Sequence, residues 1–274
     1  MKLGLHVSIA GKLTQAYVEG VASNSESLQI FSTSPRMWRS RKFTNEEIEE
    51  FKGKRGNFGP IAVHASYLIN LGSKDEKVRI KSRQAFKEEV ERSKALGADY
   101  VILHPGGGAD EAVTFIGEAL SEVLDYANGL KILLENVAGE GNKIGKNFTE
   151  LANIIAATKD GKRLGVCFDT CHAFAAGYDL REKETWHILK REIEETVGLD
   201  SIRFLHLNDC KGDLGSRLDR HANWGEGYLG QATITHLSQD EFFSQIPGVL
   251  ETPGDLNART LDLSRCREWL GLEG

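Results

Sequence analysis

The chain has 274 residues, 40% hydrophobic and 27% charged, with a formal net charge of −6 at pH 7. That composition is ordinary for a soluble globular protein, and the length is enough to bury a substantial core. No run approaches the roughly 20 apolar residues of a membrane span, and the opening MKLGLHVSIAG is too short and too polar for a secretory signal, so a cytoplasmic protein is expected.

In chain order, short apolar runs end in polar, often metal-capable residues. They are KLGLH (2–6), SLQIF (27–31), IAVH (61–64), YVILH (100–104), KILLE (within 130–135), GVCFD (165–169), IRFLH (202–206) and PGVLE (247–251). Helices are predicted between them. Thr44 and Glu47 form a capping box, with Phe43 and Ile48 as its hydrophobic staple. Ser73 and Glu76 predict a second box, opening a helix that runs towards Gly97. Val113, Ile116, Leu120, Val123, Leu124 and Ala127 line one helical face that Gly129 ends. Trp186, Leu189, Ile193 and Val197 line another, ended by Gly198. Strands buried on both faces are apolar throughout, as these are. Eight such strands alternating with helices predict a closed (β/α)8 barrel rather than an open doubly wound sheet. No linker or compositional break divides the chain, so residues 1–274 read as one domain.

In such a barrel the active site lies at the C-terminal ends of the strands. Six successive strands here end in His64, His104, Glu135, Asp169, His206 and Glu251. His172 follows Asp169 by three positions, and Asp219 and His221 lie in the long segment after the seventh strand. A lone histidine is usually a surface or hydrogen-bonded core residue, and a lone strand-end carboxylate is often a helix N-cap. The joint pattern is what departs from that background. His187 and His236 fall in predicted helices and read as surface residues, while His6 ends the first strand. The nine remaining candidates, five histidines and four carboxylates, suit two or three metals with a bridging carboxylate. Mixed nitrogen and oxygen donors without thiolate favour zinc, with manganese or iron as alternatives. The four cysteines include no Cys-x-x-Cys pair. Cys167 reads as small packing inside the barrel, and Cys171 as a turn residue.

A basic stretch, Ser34 to Lys42, follows the second strand. Charge runs are mostly solvated loops, but this one is placed at the same mouth. Arg36, Arg39, Arg41 and Lys42 are positioned to meet phosphates and Trp38 to pack on sugar or base. Tyr67 and Leu68, just past His64, have the character of side chains that wedge into a base stack, although such pairs are more often core. Arg217 and Arg220 bracket Asp219. An acidic chain argues against nucleic acid. Three divalent ions at the mouth would offset the whole formal charge and leave that end positive.

HASYLINLG (64–72), GVCFDTCHAFAAGYD (165–179) and HLNDCKGDLGSRLDRHANWGEG (206–227) resemble the endonuclease IV family of apurinic/apyrimidinic (AP) endonucleases, as do LHPGG (103–107), LLENVAGEGNKIG (133–145) and VLET (249–252). The resemblance spans nearly the whole chain. It implies a (β/α)8 barrel with three zinc ions, manganese being possible at one site. The first zinc would take His64, His104 and Glu135. The second would take the bridging Glu135 with Asp169, His206 and Glu251, and the third His172, Asp219 and His221. Glu135, Asp169 and Glu251 would be the catalytic carboxylates. A metal-bound hydroxide would attack the phosphodiester 5′ to an abasic site in double-stranded DNA, leaving a 3′-hydroxyl and a 5′-deoxyribose phosphate. Arg36, Tyr67 and Leu68 match positions that enter the duplex and help to flip the nucleotide out; Trp38, Arg39, Arg217 and Arg220 are further candidate DNA contacts. Ser34-Pro35, before Arg36, departs from the family pattern. No membrane association is expected, and a monomer suffices.

Two other readings compete. A metal-dependent sugar isomerase or epimerase uses the same barrel and similar strand-end ligands, with fewer metals and no need of a DNA-penetrating loop. A non-catalytic module that binds damaged DNA through structural zinc would favour a closed, cysteine-rich site.

Overall fold

The computed structural model describes residues 1–38, 41–108 and 110–272. The strands are β1 (Leu3–His6), β2 (Leu28–Phe31), β3 (Ile61–His64), β4 (Tyr100–Leu103), β5 (Lys131–Glu135), β6 (Gly165–Asp169), β7 (Ile202–His206), β8 (Asp209–Cys210), β9 (His221–Ala222) and β10 (Gly248–Leu250). Eight of them, all parallel, close in the order β1-β10-β7-β6-β5-β4-β3-β2, while β8 and β9 form a separate antiparallel pair. The eight predicted strands are thus the eight barrel strands. The helices are α1 (Gln15–Ala22), α2 (Asn45–Gly53), α3 (Glu76–Ala95), α4 (Ala112–Leu124), α5 (Phe148–Ala157), α6 (Thr170–Ala176), α7 (Lys183–Thr196), α8 (Gly230–Gln239) and α9 (Leu256–Leu270). Among the described residues no helix is long and apolar enough to cross a membrane.

The predicted capping box at Thr44 is present: its side chain accepts from the Glu47 N–H, and the Glu47 carboxylate accepts from the Thr44 N–H. The second box is not. α3 is capped by Asp75, which accepts from the Lys77 and Val78 N–H groups, while Ser73 accepts from the Asp75 N–H. An aspartate directly before the first turn places its carboxylate nearer those donors than Ser73 can reach. α4 stops at Leu124, short of Gly129; Ala127 still packs as buried core beyond the helix end. Cys171 lies fully buried inside α6, not in a turn. His236 is half-buried, with Nε2 3.0 Å from the Arg181 carbonyl, rather than a free surface residue.

The core has two parts. A large apolar shell lies between the strands and the helices around them. A smaller cluster, Ala62, Ile102, Leu133, Cys167, Phe204 and Val249, fills the barrel interior. Each member of the second cluster precedes a mouth residue by two positions. Strand side chains alternate with period two, so the same inward face that packs the barrel presents His64, His104, Glu135, Asp169, His206 and Glu251 one layer higher.

Candidate metal centre

The barrel brings the strand-end residues together. His64 Nε2 and His104 Nε2 each lie 3.1 Å from Glu135 Oε2. His206 Nδ1 is 3.0 Å from Glu135 Oε1, 3.3 Å from Glu251 Oε2 and 3.8 Å from Asp169 Oδ2. Beside them, His172 Nε2 is 3.2 Å and His221 Nε2 3.5 Å from Asp219 Oδ1. Three groups have donor atoms within 4.8 Å of one another: His64–His104–Glu135, Glu135–Asp169–His206–Glu251, and Asp169–His172–His221. The third differs from the expected trio in drawing on Asp169, whose Oδ2 is 3.8 Å from His221 Nε2; Asp219 faces the same two histidines. The β8–β9 pair, with Cys210 opposite His221, returns the chain so that Asp219, just before β9, and His221, at its start, reach the mouth.

Hydrogen bonding fixes which nitrogen of each ring is available. Nδ1 of His64 donates to the Ala65 carbonyl at 2.7 Å, Nδ1 of His172 to the Asn136 carbonyl at 2.9 Å, and Nδ1 of His221 to the Glu251 carbonyl at 3.3 Å. Nε2 of His206 lies 2.7 Å from the amide oxygen of Gln29. Carbonyl oxygens only accept, so these nitrogens carry the proton, and the opposite nitrogen of a neutral ring offers a lone pair. Those lone pairs face carboxylate oxygens. Two acceptors in contact repel unless a second proton or a cation lies between them. His172 Nε2 and His221 Nε2 are buried without a hydrogen-bond partner. The donor set therefore fits divalent metal ions.

The protonation balance of the metal-free protein expresses the same demand for positive charge. Burial opposes charge on His172, but Asp169 and Asp219 outweigh it and hold its pKa well above the ordinary imidazole value. His206 is likewise held well up, against burial, by Cys167, Glu251 and Glu135. Burial alone would raise Glu135 and Glu251; the histidines, His206 foremost, keep both well below the usual carboxylate range. Burial pushes the Cys167 thiol up to about 12, and the neighbouring Cys210 and burial push Cys171 up as well. Neither thiol is poised to become a thiolate ligand.

An open cavity of about 490 Å³ above this floor is lined by Arg36, Tyr67, Asn70, His104, Asp219, Arg220, His221 and Glu251, among others. Tyr67 is 51% exposed, and its ring stands 5.3 Å from that of His64 and 5.8 Å from that of His104. Leu68 beside it is half-buried, and Arg217 and Arg220 are exposed. The Ser66 hydroxyl donates to the Pro35 carbonyl at 2.9 Å, joining the β2 and β3 loops. Trp38 turns towards α3, where the Lys81 ammonium sits 4.4 Å from its ring centre. Arg39 lies outside the described residues.

The model of the xylose isomerase-like TIM barrel family matches residues 21–270. The "probable endonuclease 4" of Halothermothrix orenii is 42% identical over 260 residues, covering 92% of this chain and 94% of that protein. That of Aquifex aeolicus is 40% identical over 272 residues, with 97% and 96% covered. The crystal structure of endonuclease IV from Thermus thermophilus superposes with a TM-score of 0.88 at 36% identity, covering 100% of both chains. The chain belongs to the endonuclease IV family. A D-tagatose 3-epimerase-like protein also superposes, with a TM-score of 0.74 over 99% of this chain and 98% of that one. At 21% identity this is a likeness of fold alone.

Several polar residues that hold the candidate ligands are not marked by strand-end position. Asn136 accepts from the Asp169 N–H at 2.7 Å and donates to its carbonyl at 3.0 Å. Asn208 donates to Asp169 Oδ2 at 2.7 Å and accepts from the Glu251 N–H at 2.8 Å. Thr170 donates to the Asn208 carbonyl at 2.8 Å. The signal for the asparagines was an amide one or two positions past a strand-end ligand, in "ENV" and "HLND". Gln29 was the lone amide in the apolar run SLQIF.

Proposed function

We propose that the chain is a zinc-dependent DNA-repair endonuclease. It hydrolyses the phosphodiester 5′ to abasic sites in duplex DNA, leaving a 3′-hydroxyl and a 5′-deoxyribose phosphate. The observation that carries this reading is the nine-residue cluster at the floor of an open, arginine-rimmed cavity. His64, His104 and Glu135 would hold one zinc, and Glu135, Asp169, His206 and Glu251 a second. His172, His221 and Asp219 would hold the third, which manganese could replace. Bound, these ions make water acidic enough to attack at neutral pH and offset charge on the phosphate and the leaving oxygen.

The chain's own residues supply the rest. Tyr67 and Leu68 would enter the duplex beside the lesion, while Arg36, Arg217 and Arg220 meet backbone phosphates. Arg39 is assigned the same role, and Trp38, against α3, supports the loop that carries Arg36. Extruding an abasic nucleotide is cheap because no base must be unstacked or unpaired, which gives selectivity a physical source. A single barrel of residues 1–274, acting as a cytoplasmic monomer, suffices for this work.

The direct test is a synthetic duplex with one abasic-site analogue. Zinc-loaded protein should cut 5′ to the analogue, leave the undamaged duplex intact, lose activity on metal removal and regain it with zinc. Binding without incision would sink the assignment. Saturation at one metal per chain would favour the sugar isomerase instead.

A further inference from the structure

One layer below the mouth, the inward positions of the barrel strands are apolar apart from Cys167, and Gln29 on β2 breaks that pattern. It is fully buried. Its Nε2 lies 2.6 Å from Glu251 Oε1 and 2.9 Å from His6 Nδ1, and its Oε1 lies 2.7 Å from His206 Nε2. The order of these contacts follows from donor chemistry. An ionised carboxylate only accepts, so the NH₂ end of the amide must face Glu251. The oxygen end then faces His206, which must donate from Nε2. That leaves the His206 Nδ1 lone pair aimed at Glu135 Oε1 and Glu251 Oε2, at 3.0 and 3.3 Å.

We infer that Gln29 is a positioning residue of the metal centre, one amide that sets the tautomer and ring angle of His206 and the orientation of the Glu251 carboxylate. The inference rests on the metal reading above. It explains why a buried amide sits in an otherwise apolar layer, where an unpartnered one would be costly. Partners of this kind hold ligating histidines in register, and losing one weakens metal binding about 10–100-fold.

The test is zinc retention by the full-length protein against a competing chelator. Gln29→Met fills nearly the same space without either hydrogen bond. It should release one zinc to chelator concentrations about 10–100-fold lower than the wild type requires. Its metal-stripped form should melt within a few degrees of the wild type. Gln29→Glu should recover most of the retention, because one of its oxygens still accepts from His206 Nε2. A packing role predicts the reverse order, with Gln29→Met the milder change. Retention by Gln29→Met equal to wild type would overturn the inference, as would equal loss in both variants with the fold intact. A wild-type chain that takes up no zinc at all would sink the metal reading itself.

Discussion

Glu135 is fully buried, and its two oxygens face different partners. Oε1 is 3.0 Å from His206 and 3.1 Å from His172, and Oε2 is 3.1 Å from both His64 and His104. Such a group can bridge two cations only while both oxygens are free to accept. Glu135→Gln keeps the volume and turns one end into a donor. Incision kinetics should show kcat down at least about 100-fold, because charge stabilisation worth several kcal/mol is lost, while circular dichroism stays unchanged. Turnover equal to wild type would remove the bridging role. Asp169 also serves twice. Its Oδ1 accepts from the His172 N–H at 2.7 Å and caps α6, while its Oδ2 faces His206 and His221. A helix N-cap and a metal ligand are alternatives for a strand-end carboxylate read from sequence; here one side chain has the geometry of both, an oxygen for each.

At the scale of elements, the segment between β7 and α8 gathers on a single carboxylate. The Asp209 carboxylate accepts from the N–H groups of Cys210, Gly225, Gly227 and Leu229 at 2.8, 3.0, 3.1 and 2.8 Å. A Cβ on Gly227 would stand 2.4 Å from the Cys210 carbonyl and 2.5 Å from Asp209 Oδ1, so no larger residue fits this turn. The fold of this segment sets where Asp219 and His221 arrive. Asp209→Ala should cost on the order of 3 kcal/mol in chemical denaturation, since hydrogen bonds to a charged group contribute about 1.5–3 kcal/mol each and are not additive. It should also lower zinc content by one ion per chain, read by elemental analysis. The barrel strands were legible because a run buried on both faces has few other ways to pack, and their polar last residues marked the mouth. Element ends were less legible. Ser73 and Asp75 compete for the same orphan N–H groups, and sequence spacing alone does not say which reaches them. Cys171 looked like a turn residue because α6 is only seven residues long and begins at the capping Asp169 itself.

For the molecule as a whole, pH acts on the same residues that a metal would occupy. His64, His172 and His206 have pKa values raised in the metal-free fold by the carboxylates around them, against burial. A raised histidine contributes stability that is complete below its ordinary value of 6.5 and is lost as pH climbs through the raised one. Glu135 and Glu251 work at the other end: their lowered values contribute above 4.5 and fade as pH falls. His6, lowered by burial, destabilises only below 6.5. Metal-stripped protein should therefore lose melting temperature as pH rises above 6.5. Zinc-loaded protein should lose far less, because the cation replaces the protons. Parallel melting curves for the two forms across that range would contradict the linkage. The net charge of −6 is a poor guide to the mouth, since it averages over a surface of which that rim is a small part. The nine candidate ligands could be read as strand ends or as members of a motif. Gln29, Asn136 and Asn208 could not, because their partners are set by barrel stagger, which only the closed structure reveals.

That closure has a consequence for how the protein comes to be functional. β1 pairs with β10, Leu3 opposite Gly248, and His6 meets Glu251 across 245 residues of sequence. Glu251 belongs to the same donor group as Glu135, Asp169 and His206, which lie on three other strands. The centre is therefore incomplete until β10 has docked beside β7. A chain halted before its last strand holds eight of the nine candidate ligands and still lacks the carboxylate that spans the seam. Cations that draw Glu251 towards His206 and Glu135 would also clasp β10 against β7, beside the β1–β10 seam, so that stripping them should loosen β10.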